Sequence, residues 1–256
     1  MRLTRIIKNK LLIELDSKRL SRGEVKGFSS NFIRNFYRSY ALFIFIRDNC
    51  KDDELRGMGL SQHVISLVSI CETFLRDVFS FIVRIDARFK ENIITTYSLK
   101  MKNPISNVVI EIDDILSEYF NFQDIRDIEY AFKPMIIEEE FFDNIGNFVL
   151  PFYNHQKDEI GKFCLNISID NWKELFNEII QERHKITHDA NYITQLDINL
   201  IERYQKVMFY FPQVFTFWIS GKYNLPYFAM HIEGKGSIPY ILRLEDLSED
   251  WELVEE

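Results

Sequence analysis

Bulky apolar residues recur at three- and four-residue spacing over most of the chain, the pattern of amphipathic helices. Behind Ser30, Phe32, Phe36, Tyr40, Phe43 and Ile44 fall on one stripe, which predicts a helix capped by that serine. The most regular pattern is QHVISLVSICETFLRDVFSFIVRI (62–85), opened by Ser61. Its Val64, Val68, Cys71, Leu75, Val78, Phe79 and Ile82 make the expected buried face, and Ser66, Ser69, Thr73, Asp77 and Ser80 the expected wet one. An earlier helix is expected over LTRIIKNKLLIELDSKRL (3–20), ended by the polar break SRGEVKGFSS. After Pro104 come SNVVIEIDDILSEYF and a second acidic-amphipathic piece from Asp124 to Phe142. Residues 143–170, with NIGN and LPFYNHQKDEIG, read as irregular. Asp170 is the expected N-cap of NWKELFNEIIQERHKITH, and a long aromatic helix follows from about Leu196 to Ser220, with a kink expected at Pro212.

The period then changes. YFAMHI, the turn EGKGS and IPYILRLE read as a β-hairpin, with Gly234 and Gly236 supplying the turn. The expected fold is therefore all-α, a helical bundle with a small C-terminal β-hairpin. The parts are a basic N-terminal helix and linker (1–27), the bundle (28–221), and the hairpin with an acidic tail (222–256). Composition agrees: 9 Gly and 6 Pro leave few breakers, while 23 Phe and 12 Tyr supply a bulky core.

Charge narrows the partners. The net charge of −8 argues against constitutive, sequence-blind binding to nucleic acid. Residues 1–50 are nonetheless basic, and the final EDLSEDWELVEE carries acids and no base; solvated ends account for both. Cys50, Cys71 and Cys164 are odd in number and scattered, which suits a reducing cytoplasm better than a disulfide framework. The N-terminal stretch lacks the apolar run of a secretory signal, and YALFIFI and VMFYFPQVFTFWI are too short to span a bilayer, so no membrane partner is expected.

Two charged residues sit where apolar ones are expected. At about 100° per residue, Arg183 falls inside the arc of Trp172, Leu175, Phe176, Ile179 and Ile180. Glu72 falls on the apolar side of the 62–85 helix, between Phe79 and Ile65. A carboxylate and a guanidinium so placed invite pairing across the bundle, either as a structural ion pair or as a device that sets Arg183 for an anionic ligand. His184 and His188 lie about 40° apart on the flank of the same helix.

These residues carry a resemblance. Arg183-His-Lys-Ile-Thr-His188 resembles the Arg-x(4–6)-His motif of HEPN domains, in which a polar residue follows the arginine, as His184 does here. The run VSICETFLRDVF (68–79) is similar to an earlier helix of one HEPN branch, with Glu72 and Asp77 at its acidic positions. The likeness spans residues 28–220 as architecture and about twenty residues as pattern. Asp189 departs from the Asn that often follows the histidine.

The resemblance implies an HEPN-like bundle acting as a metal-independent endoribonuclease, a toxin or antiphage effector. Its composite site forms where two such helices meet in a homodimer, and an antitoxin or defence-system protein is a further implied partner. No cofactor is implied. RNA supplies its own nucleophile, the 2′-hydroxyl. His188 is then the base or acid, Arg183 the phosphate clamp, and Glu72 the group that holds it. His184 shares proton transfer or orients, and Lys185 holds the neighbouring phosphate.

Two other readings stand beside it. His184 and His188 at i, i+4 can share a metal ion, with Glu182 or Asp189 near, although HKITH lacks the Glu of HExxH zincins. Alternatively, the chain is a non-catalytic helical module binding a nucleotide, an RNA or a partner protein. His63 and His155 read as surface or capping residues, His231 as structural, and Cys71 as buried and inert.

Overall fold

The computed structural model describes residues 25–96, 120–136, 140–153, 159–189, 192, 197–225, 229–232 and 236–247. The helix expected over 3–20, the one after Pro104, His155 and the end of the acidic tail lie outside these residues. The described residues form α1 (Val25–Asn49), α2 (Asp53–Ile85), α3 (Ala87–Thr96), α4 (Ile125–Phe132), α5 (Phe141–Asn147), α6 (Leu165–Ser168), α7 (Trp172–His188) and α8 (Ile198–Tyr223). A ribbon of β1 (Leu150–Tyr153) and β2 (Glu159–Phe163) precedes α6, and a hairpin of β3 (Ala229–Ile232) and β4 (Gly236–Pro239) follows α8. Both β pairs are antiparallel and two-stranded. The protein is thus all-α with a small C-terminal hairpin, as the periodicities require. None of the described helices is long and apolar enough to cross a membrane.

Helix α2 is central: α1, α3, α7 and α8 all pack on it. Its start differs from expectation because Asp52, not Ser61, caps it, accepting from the Leu55 N–H at 2.9 Å. Gly57 and Gly59 lie inside the helix; at Gly59 a Cβ would stand 2.6 Å from Ile46 Cδ1, so glycine allows α1 and α2 to approach. Likewise the chain is already helical at Val25, and Ser29, behind the expected cap Ser30, is buried, with its hydroxyl 3.2 Å from that of Thr216.

The whole expected apolar face of α2 is buried, but so are Asp77 and Ser80 from the expected wet face. A two-sided wheel undercounts burial for a helix enclosed by several neighbours. The region expected to be irregular holds α5, the β1–β2 ribbon and α6. Helix α7 is preceded by Asn171 in the left-handed region (φ 55), one residue beyond the expected cap Asp170.

The core is aromatic. Phe215, fully buried, has its ring centroid 4.9 Å from Phe141, 5.1 Å from Phe132 and 6.3 Å from Phe74, tying α8 to α5, α4 and α2. Phe215→Ala is expected to destabilise the fold by about 3–5 kcal/mol, read as a lowered midpoint in chemical denaturation.

Helix α8 continues through Pro212. The neighbouring Gln213, which interrupts the apolar run in sequence, clamps the chain after the hairpin: its Oε1 accepts from the Leu242 N–H at 2.9 Å and its Nε2 donates to the Leu242 carbonyl at 3.2 Å.

His63 is buried inside α2, contrary to a surface or capping role. Its ring stacks on Phe43 at 4.9 Å, with Nδ1 2.9 Å from Ser39 Oγ and Nε2 2.8 Å from Gln205 Nε2. Since the Gln205 amide nitrogen can only donate, Nε2 accepts, and Nδ1 carries the proton toward Ser39. Burial lowers the His63 pKa to about 4. The unfolded chain therefore takes up this proton first. Stability should be full above about pH 6.5 and fall by about 3 kcal/mol as the pH drops toward 4. Denaturation midpoints measured across that window should show the loss, and His63→Gln should flatten it.

Candidate functional site

The site is assembled by α2, α7 and the short segment leading into α4. That segment is anchored by Phe120 and Phe122, buried with ring centroids 4.9 and 5.8 Å from Phe79. Asp124 ends it by capping α4, accepting from the Arg126 N–H at 2.8 Å. Gln123 is thereby fixed between the two helices.

Glu72 and Arg183 are brought to the same place, but they do not pair directly; Gln123 stands between them. Its Nε2 donates to both carboxylate oxygens of Glu72, at 3.2 and 3.1 Å, and its Oε1 accepts from Arg183 Nη1 at 3.3 Å. The amide orientation is dictated by chemistry, since a carboxylate only accepts and a guanidinium only donates. Glu72 is also bridged by Arg76 at 3.3 Å, whose guanidinium lies 5.8 Å from the Phe122 ring centroid.

The consequence is electrostatic. Arg183 meets the dipole of an amide rather than the full charge of a carboxylate, so among the described residues no direct contact compensates its charge. Its Nε is buried and has no hydrogen-bond partner among the described residues. A buried donor left unmade costs about 1–3 kcal/mol, and such a guanidinium is suited to an incoming anion.

His184 and His188 stack on the flank of α7, with ring centroids 5.6 Å apart and planes 15° from parallel. His184 is half-buried and His188 exposed. Lys185 is exposed and bridges to Glu182 at 3.3 Å.

Glu182 was the least expected feature of α7. It is 5 % exposed and accepts from Tyr192 Oη at 2.6 Å, which straps the chain after the helix back onto it. That hydrogen bond, with burial, pushes the Tyr192 hydroxyl up to about 12. The signal was present in sequence: Leu175, Ile179, Glu182 and Ile186 share a stripe at helical spacing. Gln123 had no comparable signal, because it precedes a helix and carries no charge.

An open cleft of about 570 Å³ lies beside the Arg183 relay. Asn121 and Gln123 line it from the segment before α4, Asp124, Arg126, Asp127 and Tyr130 from the start of α4 onward, and His184 from α7. Among the described residues no three His, Cys, Asp or Glu side chains converge as metal ligands. Glu182, a candidate third ligand beside the two histidines, is bound to Tyr192 and Lys185. Cys71 is buried and its thiol is pushed up by burial, with Glu72 adding to the effect.

Comparison with protein-family models, curated proteins and solved structures finds no match to this chain.

Proposed function

We propose that this site cleaves RNA, with the 2′-hydroxyl of the substrate as nucleophile and no metal in the step. The observation that carries the reading is the guanidinium of Arg183, held by Gln123, with no acceptor at Nε among the described residues, and beside a cleft edged by His184. In this reading one imidazole of the His184–His188 pair takes the 2′-hydroxyl proton as the 2′-oxygen bonds to phosphorus. Arg183 stabilises the charge that grows on the non-bridging oxygens. The bond from phosphorus to the 5′-oxygen then breaks, and that oxygen receives a proton. The products are a 2′,3′-cyclic phosphate and a 5′-hydroxyl.

Glu72 acts through Gln123 as a positioning residue, and Lys185, exposed on α7, meets a neighbouring phosphate. The HEPN resemblance supports the same chemistry and adds a homodimer in which two α7 ends meet. The exposure of His188 is compatible with a site completed by a second copy. A toxin or antiphage effector in the cytoplasm, restrained by an antitoxin or defence-system partner, is the physiological form of this proposal.

The test is to express wild type and His188→Ala and compare total RNA. Fragmentation by wild type alone supports cleavage; RNA left intact by both overturns it. The acidic net charge favours a second reading, a non-catalytic module that binds a nucleotide, an RNA or a protein. Binding without fragmentation selects that reading.

A further inference from the structure

His184 and His188, one turn apart near the end of α7, stack with ring centroids 5.6 Å apart and planes 15° from parallel. His188 is exposed, and His184 is half-buried at the edge of the cleft. Neither ring hydrogen-bonds to another described residue, so among these residues nothing occupies a ring nitrogen. Residues four apart are neighbours on one flank of a helix, and two neutral imidazoles there present two lone pairs side by side. On a tetrahedral zinc ion, at about 2.0–2.1 Å per nitrogen, two imidazoles have ring centroids roughly 5 Å apart. The spacing of 5.6 Å is close to this, and rotation of the exposed His188 ring closes a chelate without moving the helix.

We infer that His184 and His188 form a two-imidazole chelating site for a divalent ion of the zinc class, and that its occupation silences the proposed cleavage. Imidazole suits such ions, whereas magnesium and calcium take oxygen ligands. Charges of both signs surround the pair: Arg183, Lys185 and the buried Glu182 on α7, and Asp124, Arg126 and Asp127 along the cleft. The lone pairs, rather than the local field, therefore select the ion. Among the described residues no third side chain joins the two imidazoles as a ligand, and water completes the coordination. A structural zinc site is closed by four protein ligands; one with two is exchangeable, and its occupancy follows the supply of free ion. Each Zn–N bond takes the lone pair with which an imidazole accepts a proton, and any proton on that nitrogen leaves to solvent. No bond to the substrate and no change of oxidation state is involved. The ion is an inhibitor of the step and takes no part in it.

The silencing rests on the RNA-cleavage reading; the chelate does not, and the experiment separates them. Full-length protein freed of metal is treated with diethyl pyrocarbonate, with and without zinc chloride, and modified histidines are mapped by mass spectrometry. Zinc should protect His184 and His188 together, magnesium should protect neither, and no variant is needed. Calorimetric titration with zinc should give one ion per chain. The affinity should fall by about tenfold or more in folded His184→Ala and in folded His188→Ala, since even outer-shell partners are worth that much. Protection of one ring or neither, equal protection by magnesium, or binding unchanged in either variant overturns the chelate. Cleavage of one labelled RNA is then followed. Saturating zinc should lower the rate by about a hundredfold or more, and EDTA should restore it. Saturated protein that cleaves at the full rate overturns the silencing and leaves the chelate standing. Absence of cleavage by metal-free protein overturns the cleavage reading and the silencing with it, while protection and titration still decide the chelate.

Discussion

Arg183→Ala is expected to lower RNA cleavage by about a hundred- to a thousandfold, with the helical content unchanged. In the proposed reading the guanidinium meets the charge growing on a phosphorane beside the cleft, while Arg126 lines the cleft itself. Its removal should not cost the fold, because among the described residues its direct hydrogen-bond partner is Gln123 Oε1, at 3.3 Å. Arg183→Lys keeps the charge but not the planar two-pronged geometry, and should recover only a minor part of the rate. Gln123→Ala and Glu72→Gln separate holding from chemistry. Each leaves the guanidinium present but alters what fixes it, so each should lose less rate than Arg183→Ala. A loss as large as that of Arg183→Ala in a folded Glu72→Gln protein would assign Glu72 a direct role in place of a positioning one. Single-turnover rates on one labelled RNA provide the comparison.

The second large effect is expected at the histidines. His188→Ala should reduce the rate by about a hundred- to ten-thousandfold, since it removes an imidazole, the side chain suited to exchange protons near neutrality. His184→Ala should also slow the reaction, and the order of the two losses identifies which imidazole moves the proton. The rings stack at 5.6 Å, so either variant also removes a neighbour from the other. A leaving group that needs no protonation, in place of the 5′-oxygen, should rescue the variant lacking the acid but not the one lacking the base.

Residue by residue, the sequence foretold the helices better than their ends. The stripe of Val64, Val68, Cys71, Leu75, Val78, Phe79 and Ile82 is buried throughout because helical periodicity reports packing directly. Helix starts were misread where two caps competed: Ser61 looks like a cap, but Asp52 has acidic residues after it and captures the Leu55 N–H. The burial of Asp77, Ser80 and His63 was not legible, since it depends on how many neighbours enclose α2 rather than on its own pattern.

At the site, the misplaced charges of Glu72 and Arg183 correctly singled out two helices that meet. The mediator could not be foreseen. Gln123 reaches both because Phe120 and Phe122 pin its segment against Phe79, a contact between positions far apart in the chain. The buried Glu182 was legible as a stripe position, while its partner Tyr192 lies beyond the helix where no periodicity applies.

The central claim is a metal-independent attack of the 2′-hydroxyl at Arg183 and the two histidines. It is tested most directly by incubating purified protein with end-labelled single-stranded RNA in excess EDTA, alongside a DNA of the same sequence, and identifying the new ends. The account predicts cut RNA bearing 2′,3′-cyclic phosphate and 5′-hydroxyl ends, intact DNA, and loss of cutting in Arg183→Ala. RNA that stays whole, DNA cut alongside it, or fragments ending in 3′-hydroxyl and 5′-phosphate would contradict it.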